Sequence, residues 1–144
     1  MVDTSQKNSA VRSAIASGKI ILSEDTISKI RSSSIEKGNV LATARVSAIM
    51  AVKKTSDTIP MCHPIPITGI DTDFEVNDDS ITARVMVKSV GKTGVEMEAL
   101  NGVSTALLTI WDMVKSAEKD GTGNYPNTKI QDIEVIEKTK SESI

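Results

Sequence analysis

Residues 91–119, GKTGVEMEALNGVSTALLTIWDMVKSAEK, gather the side chains best suited to acid–base and anion chemistry. Asp112 and Lys115 stand three apart, which makes them neighbours on the surface of a helix. Such a pair can move protons when burial and neighbours tune it. Left in water, it is an ion pair of little energetic weight. Glu98, Asp112, Lys115 and Lys119 share one arc of that helix, which an ordinary solvated face would also do. Glu96 and Glu98 project about 200° apart, so at most one of them should face a given pocket. From Glu98 to Asp112 the helix rises about 21 Å, too far for one small-molecule site within one chain. Either the two ends serve different functions, or a site is shared between subunits.

The turn Gly91-Lys92-Thr93-Gly94 lies between an expected strand and an expected helix, where backbone amides and the helix dipole favour an anion. It is not a Walker A loop, because position 86, where that pattern needs glycine, holds Met86. A tight turn with an exposed lysine explains it as simply. His63 is the single imidazole of the chain and stands between prolines, as either a packed loop residue or a proton carrier. Cys62 reads as a small buried hydrophobe.

These groups need a frame. Apolar residues at Val95, Ala99, Val103, Ala106, Ile110, Val114 and Ala117 recur at helical spacing and predict a long helix over 94–120 with that side in the core. Upstream, 10–22 has the β-branched, alternating character of a strand, with Arg12 near its start and a bend or bulge at 17–19. Ser23 is the expected N-cap of a short helix over 24–33, which would bury Ile27, Ile30 and Ile35. Gly38 and Asn39 break the chain before a second helix over 40–54, whose inner side is Leu41, Ala44, Ala48, Ile49 and Val52. The prolines at 60, 64 and 66 make 55–68 a stiff loop, neither helix nor central strand, that fixes Met61, Cys62 and His63. Segments 67–76 and 80–90 predict an antiparallel hairpin, and 128–136 a last strand. A polar arm over 1–9, lying on the surface or on a neighbouring subunit, and a polar tail over 137–144 flank a single domain spanning 1–144. The order β-α-α-β-β-α-β predicts an α+β fold of the ferredoxin-like, split βαβ kind, an antiparallel sheet with helices on one face.

At 144 residues the chain can bury a core without staples, and aromatics at 2% make that core aliphatic. A formal net charge of −2 gives no basic field for nucleic acid, so anions must be met by local lysine and arginine. One cysteine and one histidine cannot form a Cys/His zinc site, and no metal site is expected. No apolar run approaches the roughly 20 residues of a membrane span. Residues 1–9 lack a secretion signal's apolar segment, so a reducing cytoplasm is the expected location.

The segments IPMCHPIPIT, GKTGVEMEALNGVS and TIWDMVKSAEKD, in that order, closely resemble the MoaC proteins, the cyclic pyranopterin monophosphate synthases of molybdenum cofactor biosynthesis. MVDTS at the start and KGNVLATARVSAIMAVKKT extend the resemblance over nearly all of 1–120. It implies a lyase that converts 3′,8-cyclised dihydro-GTP, made by a radical SAM partner enzyme, to cyclic pyranopterin monophosphate and diphosphate. Matched by position, the resemblance puts the catalytic aspartate on Asp112 and the essential lysines on Lys37 and Lys115. It places substrate contacts on Met61, Cys62, His63, Met97 and Glu98, and polar pocket positions on Glu96, Arg12 and Lys119. It implies a dimer-based homo-oligomer, a hexamer, with no nucleic-acid or membrane partner. It fixes no cofactor and leaves open a Mg²⁺ ion travelling with the triphosphate. Met61 stands where leucine is usual, Trp111 where tyrosine is usual, and the tail EKTKSESI departs from the usual glycine-rich one. A nucleotide-sensing module of the same fold, without chemistry, is the competing reading.

Overall fold

The structure, a computed structural model, describes residues 1–142. Its elements are β1 (Ala10–Ile21), α1 (Glu24–Arg31), α2 (Val40–Lys53), α3 (Thr55–Thr58), β2 (Ile67–Val76), β3 (Ser80–Gly91), α4 (Glu96–Glu118) and β4 (Lys129–Ser141). The four strands form one sheet in the order β2-β3-β1-β4, with every neighbouring pair antiparallel. This is the expected α+β, split βαβ arrangement. Among the described residues, no helix is long and apolar enough to cross a membrane.

The long helix follows its sequence pattern. Val95, Ala99, Val103, Ala106, Ile110 and Val114 are buried, joined by Leu107 and Met113, and Ala117 is half-buried. They meet the inner side of the sheet, where Ala14, Ala16 and Ile20 of β1 and Ile81, Ala83, Val85 and Val87 of β3 complete the core. Close approach is secured by two glycines. A Cβ on Gly18 of β1 would stand 2.8 Å from Leu107 and 2.9 Å from Val103 and Ile133. A Cβ on Gly102 of α4 would stand 2.8 Å from Val52 of α2 and 3.2 Å from Val85 of β3. Glycine in mid-helix is tolerated here because α2, α4 and the sheet converge on that point.

The caps follow the sequence too. Ser23 accepts from the Thr26 amide at 3.2 Å, and Asn39 accepts from the Ala42 amide at 3.0 Å. Gly38 takes φ 113°, a left-handed conformation that favours glycine, and ends the turn between α1 and α2. The hairpin is formed as expected, with Val76 opposite Ile81.

Three expectations are corrected. Residues 55–58 are not loop but one helical turn, α3, in which the Thr55 hydroxyl donates to the Ala51 carbonyl at 2.9 Å and continues the path of α2. The irregularity expected at 17–19 lies across from it: between Ser17/Glu134 and Lys19/Gln131 the extra residue belongs to β4, where Asp132 has φ 58°. Finally, 137–141 is not tail but the second half of β4, paired with β1 as far as Val11 opposite Ser141; residues 143–144 lie outside the described residues. An edge strand exposed along most of its length needs no apolar alternation, and charges such as Lys138 and Lys140 suit an edge that must not recruit further strands.

The Gly102 contact gives a direct test. Gly102→Val should lower the urea midpoint, with a loss of about 1–3 kcal/mol from overpacking outweighing the gain in helix propensity. Equal midpoints for variant and native protein would mean that α2, α4 and the sheet are not in the close contact described.

Candidate active site

Apart from Arg12, the predicted residues fall into two groups at opposite ends of α4. In the first, the carboxylate of Asp112 is held between two lysines. Lys37 Nζ stands 3.1 Å from Asp112 Oδ2 and also donates to the Asp112 carbonyl at 3.0 Å, while Lys115 Nζ stands 3.2 Å from Oδ1. Lys115 is there because of helical spacing. Lys37 arrives from the turn between α1 and α2, whose Ser33 takes φ 57°. The hydrogen bond from Lys37, and then that from Lys115, holds Asp112 below the ordinary carboxylate range. Beside it lies a depression of about 380 Å³ lined by Leu108, Trp111, Asp112, Lys115, Tyr125 and Ile130. Trp111 and Tyr125 meet edge to face there, with ring centres 5.1 Å apart. Lys119, exposed at the end of α4, extends the positive surface.

The second group surrounds a cavity of about 620 Å³ at the start of α4. Met61, Cys62 and His63 line it from the proline-rich segment, and Glu96, Met97 and Glu98 line it from the first turn of the helix. The expectation that only one of Glu96 and Glu98 could face a pocket is therefore wrong. A 200° separation applies to the flank of a helix, whereas this cavity lies across its end, where side chains of the whole first turn reach the same space. Burial pushes the Glu98 carboxyl above its ordinary range; its own backbone amide partly offsets this, and the nearby Glu96 charge adds to it. Burial likewise pushes the Cys62 thiol up, with Glu98 and Glu96 adding to the effect. A raised thiol is a poor nucleophile, but Cys62 is not the fully buried hydrophobe expected: it is half-buried, on the wall of the cavity.

At the Gly91-Lys92-Thr93-Gly94 turn the Glu96 side chain folds back against Gly94, and its Oε2 is buried there without a hydrogen-bond partner. Lys92 donates to the Ser5 carbonyl at 3.5 Å and helps hold the N-terminal arm, which lines the cavity through Val2, Thr4 and Lys7. Arg12 belongs to neither lining; it is buried on the core side of β1 and donates from Nε to the Gly91 carbonyl at 3.0 Å. Among the described residues, no three His, Cys, Asp or Glu side chains gather as metal ligands.

Two contributors escaped the sequence reading. Lys138 Nζ lies 3.2 Å from Glu96 Oε1, so β4 brings a cation to the acidic end of α4. It was hidden because its segment, EKTKS over 137–141, has no apolar residue and reads as a polar tail. Lys7 was hidden in an arm without periodicity.

The fold and these two groups define an α+β protein with charged side chains gathered at both ends of one long helix. A model of the MoaC family matches residues 1–141. A "probable cyclic pyranopterin monophosphate synthase" of Methanosarcina acetivorans is 66% identical over 97% of this chain and 89% of its own length. One of Methanococcoides burtonii is 67% identical over 97% and 88%. A protein of Methanothermobacter thermautotrophicus, named a probable synthase accessory protein, is 61% identical over 99% and 89%. The chain belongs to the MoaC family.

Glu98 supplies a pH test. Its raised carboxyl binds a proton more tightly in the folded state than in the unfolded one. The stability linked to it is therefore present at low pH and lost as pH rises from the ordinary glutamate range through the raised value. Glu98→Gln removes that loss, so the urea midpoint of the variant should gain on the native protein across that interval. A difference that stays constant with pH would show that Glu98 titrates normally.

Proposed function

We propose that this chain is a cyclic pyranopterin monophosphate synthase. It takes the (8S)-3′,8-cyclised dihydroguanosine triphosphate released by a radical SAM enzyme, rebuilds its purine into a pterin-pyran skeleton, closes the cyclic phosphate and releases diphosphate. The observation that carries this reading is the Asp112 carboxylate fixed between Lys37 and Lys115 in a chain of this family. The depressed Asp112 is ionised at neutral pH and orients both ammonium groups, which donate protons and stabilise charge developing on phosphate oxygens. Lys119 adds a cation for the triphosphate. Mg²⁺ enters as the counter-ion of the phosphates, with one or two carboxylates as its protein ligands at most.

At the other end of α4, the cavity of Met61, Cys62, His63, Met97 and Glu98 receives the ring system, and Glu96 acts there with Lys138. Arg12 stabilises this end through the Gly91 carbonyl. The two groups are about 21 Å apart along one helix. They work on one substrate when two copies of the chain pack with their α4 helices antiparallel about a two-fold axis, so that each site takes Asp112 from one copy and Glu98 from the other. The functional unit is then a dimer or a multiple of it, a hexamer by the family resemblance, acting in the cytoplasm.

The competing reading is a sensing module of the same fold that only binds the nucleotide; the Methanothermobacter relative is named an accessory protein of the synthase. Diphosphate release from the cyclised nucleotide separates the two readings. Asp112→Asn, Lys115→Ala and Lys37→Ala should each lower turnover by about 10²–10⁴-fold without loss of fold, because the three side chains are exposed and outside the core. Native turnover in both Asp112→Asn and Lys115→Ala would end the assignment.

Mixing inactive Asp112→Asn with inactive Glu98→Gln tests the shared site. Subunit exchange creates heterodimers with one intact site, and partial activity should return. A mixture that stays inactive after demonstrated exchange contradicts a site shared between copies.

A further inference from the structure

The buried carboxylate of Glu118, the last residue of α4, is absent from the chemistry above and has an unusual number of partners. Its Oε2 accepts from the Ser23 hydroxyl at 2.8 Å, from the Ser23 amide at 3.2 Å and from the Thr26 hydroxyl. Its Oε1 accepts from the Thr128 hydroxyl at 2.7 Å and from the Ser23 amide at 3.3 Å. A carboxylate at its own helix's C-terminus is disfavoured by that dipole, but this one is aimed into the start of α1, where the dipole favours it. One side chain thus ties together the end of α4, the first turn of α1 and the foot of β4.

What α1 holds in turn is the segment that delivers Lys37. The fully buried residues of α1, Thr26 and Ile27, are in its first turn at the Glu118 contact, whereas its last turn leans on the hairpin, with Ile30 half-buried on the core and Arg31 donating to the Val76 carbonyl at 2.9 Å. Beyond the first turn the contact with α4 loosens. A recess of about 230 Å³ separates Ser34, Ile35 and Glu36 from Val114 and Ala117 of α4. Toward α4 the segment is therefore held at two ends, by Glu118 at the start and by the Lys37–Asp112 pair at the finish, while Ile30 and Ile35 pack half-buried on the core between them. Thr128 stands three residues beyond Tyr125, which packs on Trp111 beside Asp112, so the same carboxylate also steadies the other wall of that depression.

We propose that Glu118 is a positioning residue for the Asp112 group: by clamping α1 and the foot of β4 to the last turn of α4, it sets where Lys37 meets Asp112. Its effect on turnover rests on the activity proposed above, whereas its effect on the geometry does not, and the experiment separates the two. The Asp112 carboxyl is titrated by carbon-detected NMR, and diphosphate release is measured, in the native protein, Glu118→Ala and Glu118→Gln. In folded Glu118→Ala, Lys37 drifts and the Asp112 titration moves up toward the ordinary aspartate range. Turnover then falls by about tenfold to a hundredfold, as expected for misplacement by around an ångström, while KM stays within about threefold. Glu118→Gln, whose amide oxygen can still accept from Ser23 and Thr26, restores most of both. Ile20→Val, which weakens the core elsewhere, leaves the Asp112 titration in place, so a general loss of stability does not mimic the result.

A folded Glu118→Ala protein with native Asp112 titration and native turnover overturns the proposal. Should Glu118→Ala not fold, the same readouts on Thr26→Val and Thr128→Val decide: a shifted Asp112 titration supports it and an unchanged one overturns it. If the native protein releases no diphosphate, the proposed activity fails alone, and the Asp112 titration still decides whether Glu118 positions Lys37.

Discussion

The structure depends on how closely α4 can approach the sheet. A core with so few aromatic side chains must be filled by short aliphatic ones, and short side chains touch only when backbones are near. Gly18 and Gly102 make that possible, one from the strand and one from the helix. Once α4 is seated, its 23 residues act as a rigid rod whose two ends are fixed with respect to everything else. The Asp112 group and the cavity at Glu98 are consequences of that seating, and so is the distance between them.

This explains what the sequence made legible and what it concealed. The stripe on α4, the Ser23 and Asn39 caps and the 67–76/80–90 hairpin were visible because each is a local pattern with one physical cause. Asp112 and Lys115 were visible as neighbours for the same reason. That Lys37 completes the group came from the family resemblance; its hydrogen bonds to Asp112 span 75 positions in the chain and have no local signature. Lys138 was concealed because an exposed edge strand has no burial pattern to betray it. Glu118 was concealed for the opposite reason. A glutamate at the end of an amphipathic helix reads as solvated, and only tertiary structure shows hydroxyl donors gathered around it.

The charges along α4 carry two explanations at once. Glu96 and Glu98 in the first turn and Lys115 in the last one are what the helix dipole favours at its two ends. The structure adds what that reading does not require. A carboxylate placed only to complement a dipole would remain in water, but Glu98 is buried and its carboxyl is pushed up. An exposed aspartate would need no partner, yet Asp112 has a lysine on each oxygen, one of them delivered from a distant turn. Burial without full compensation at one end, and charge concentrated at the other, are departures from what stability alone selects.

The same contrast bears on how an acidic chain would meet the triphosphate of the proposed substrate. With a net charge of −2 the whole molecule does not attract polyanions, and at physiological salt its field fades within about 8 Å. Attraction must then come from a few fixed cations near one another. Around Asp112, Lys37 and Lys115 leave one positive charge after pairing, and Lys119 adds a second. At the other end Glu96, paired with Lys138, and Glu98 face a cavity that Lys7 also lines, where a carboxylate meets ring N–H donors better than phosphate. Two ends of opposite character, about 21 Å apart in one chain, cannot both touch a single nucleotide. Brought together from two chains they would orient it, phosphates toward the lysines and ring toward the glutamates. On the proposed shared site, the rigid α4 that separates the groups in one copy would also set their register between copies, so that the seating of one helix on its sheet would fix the geometry of the site.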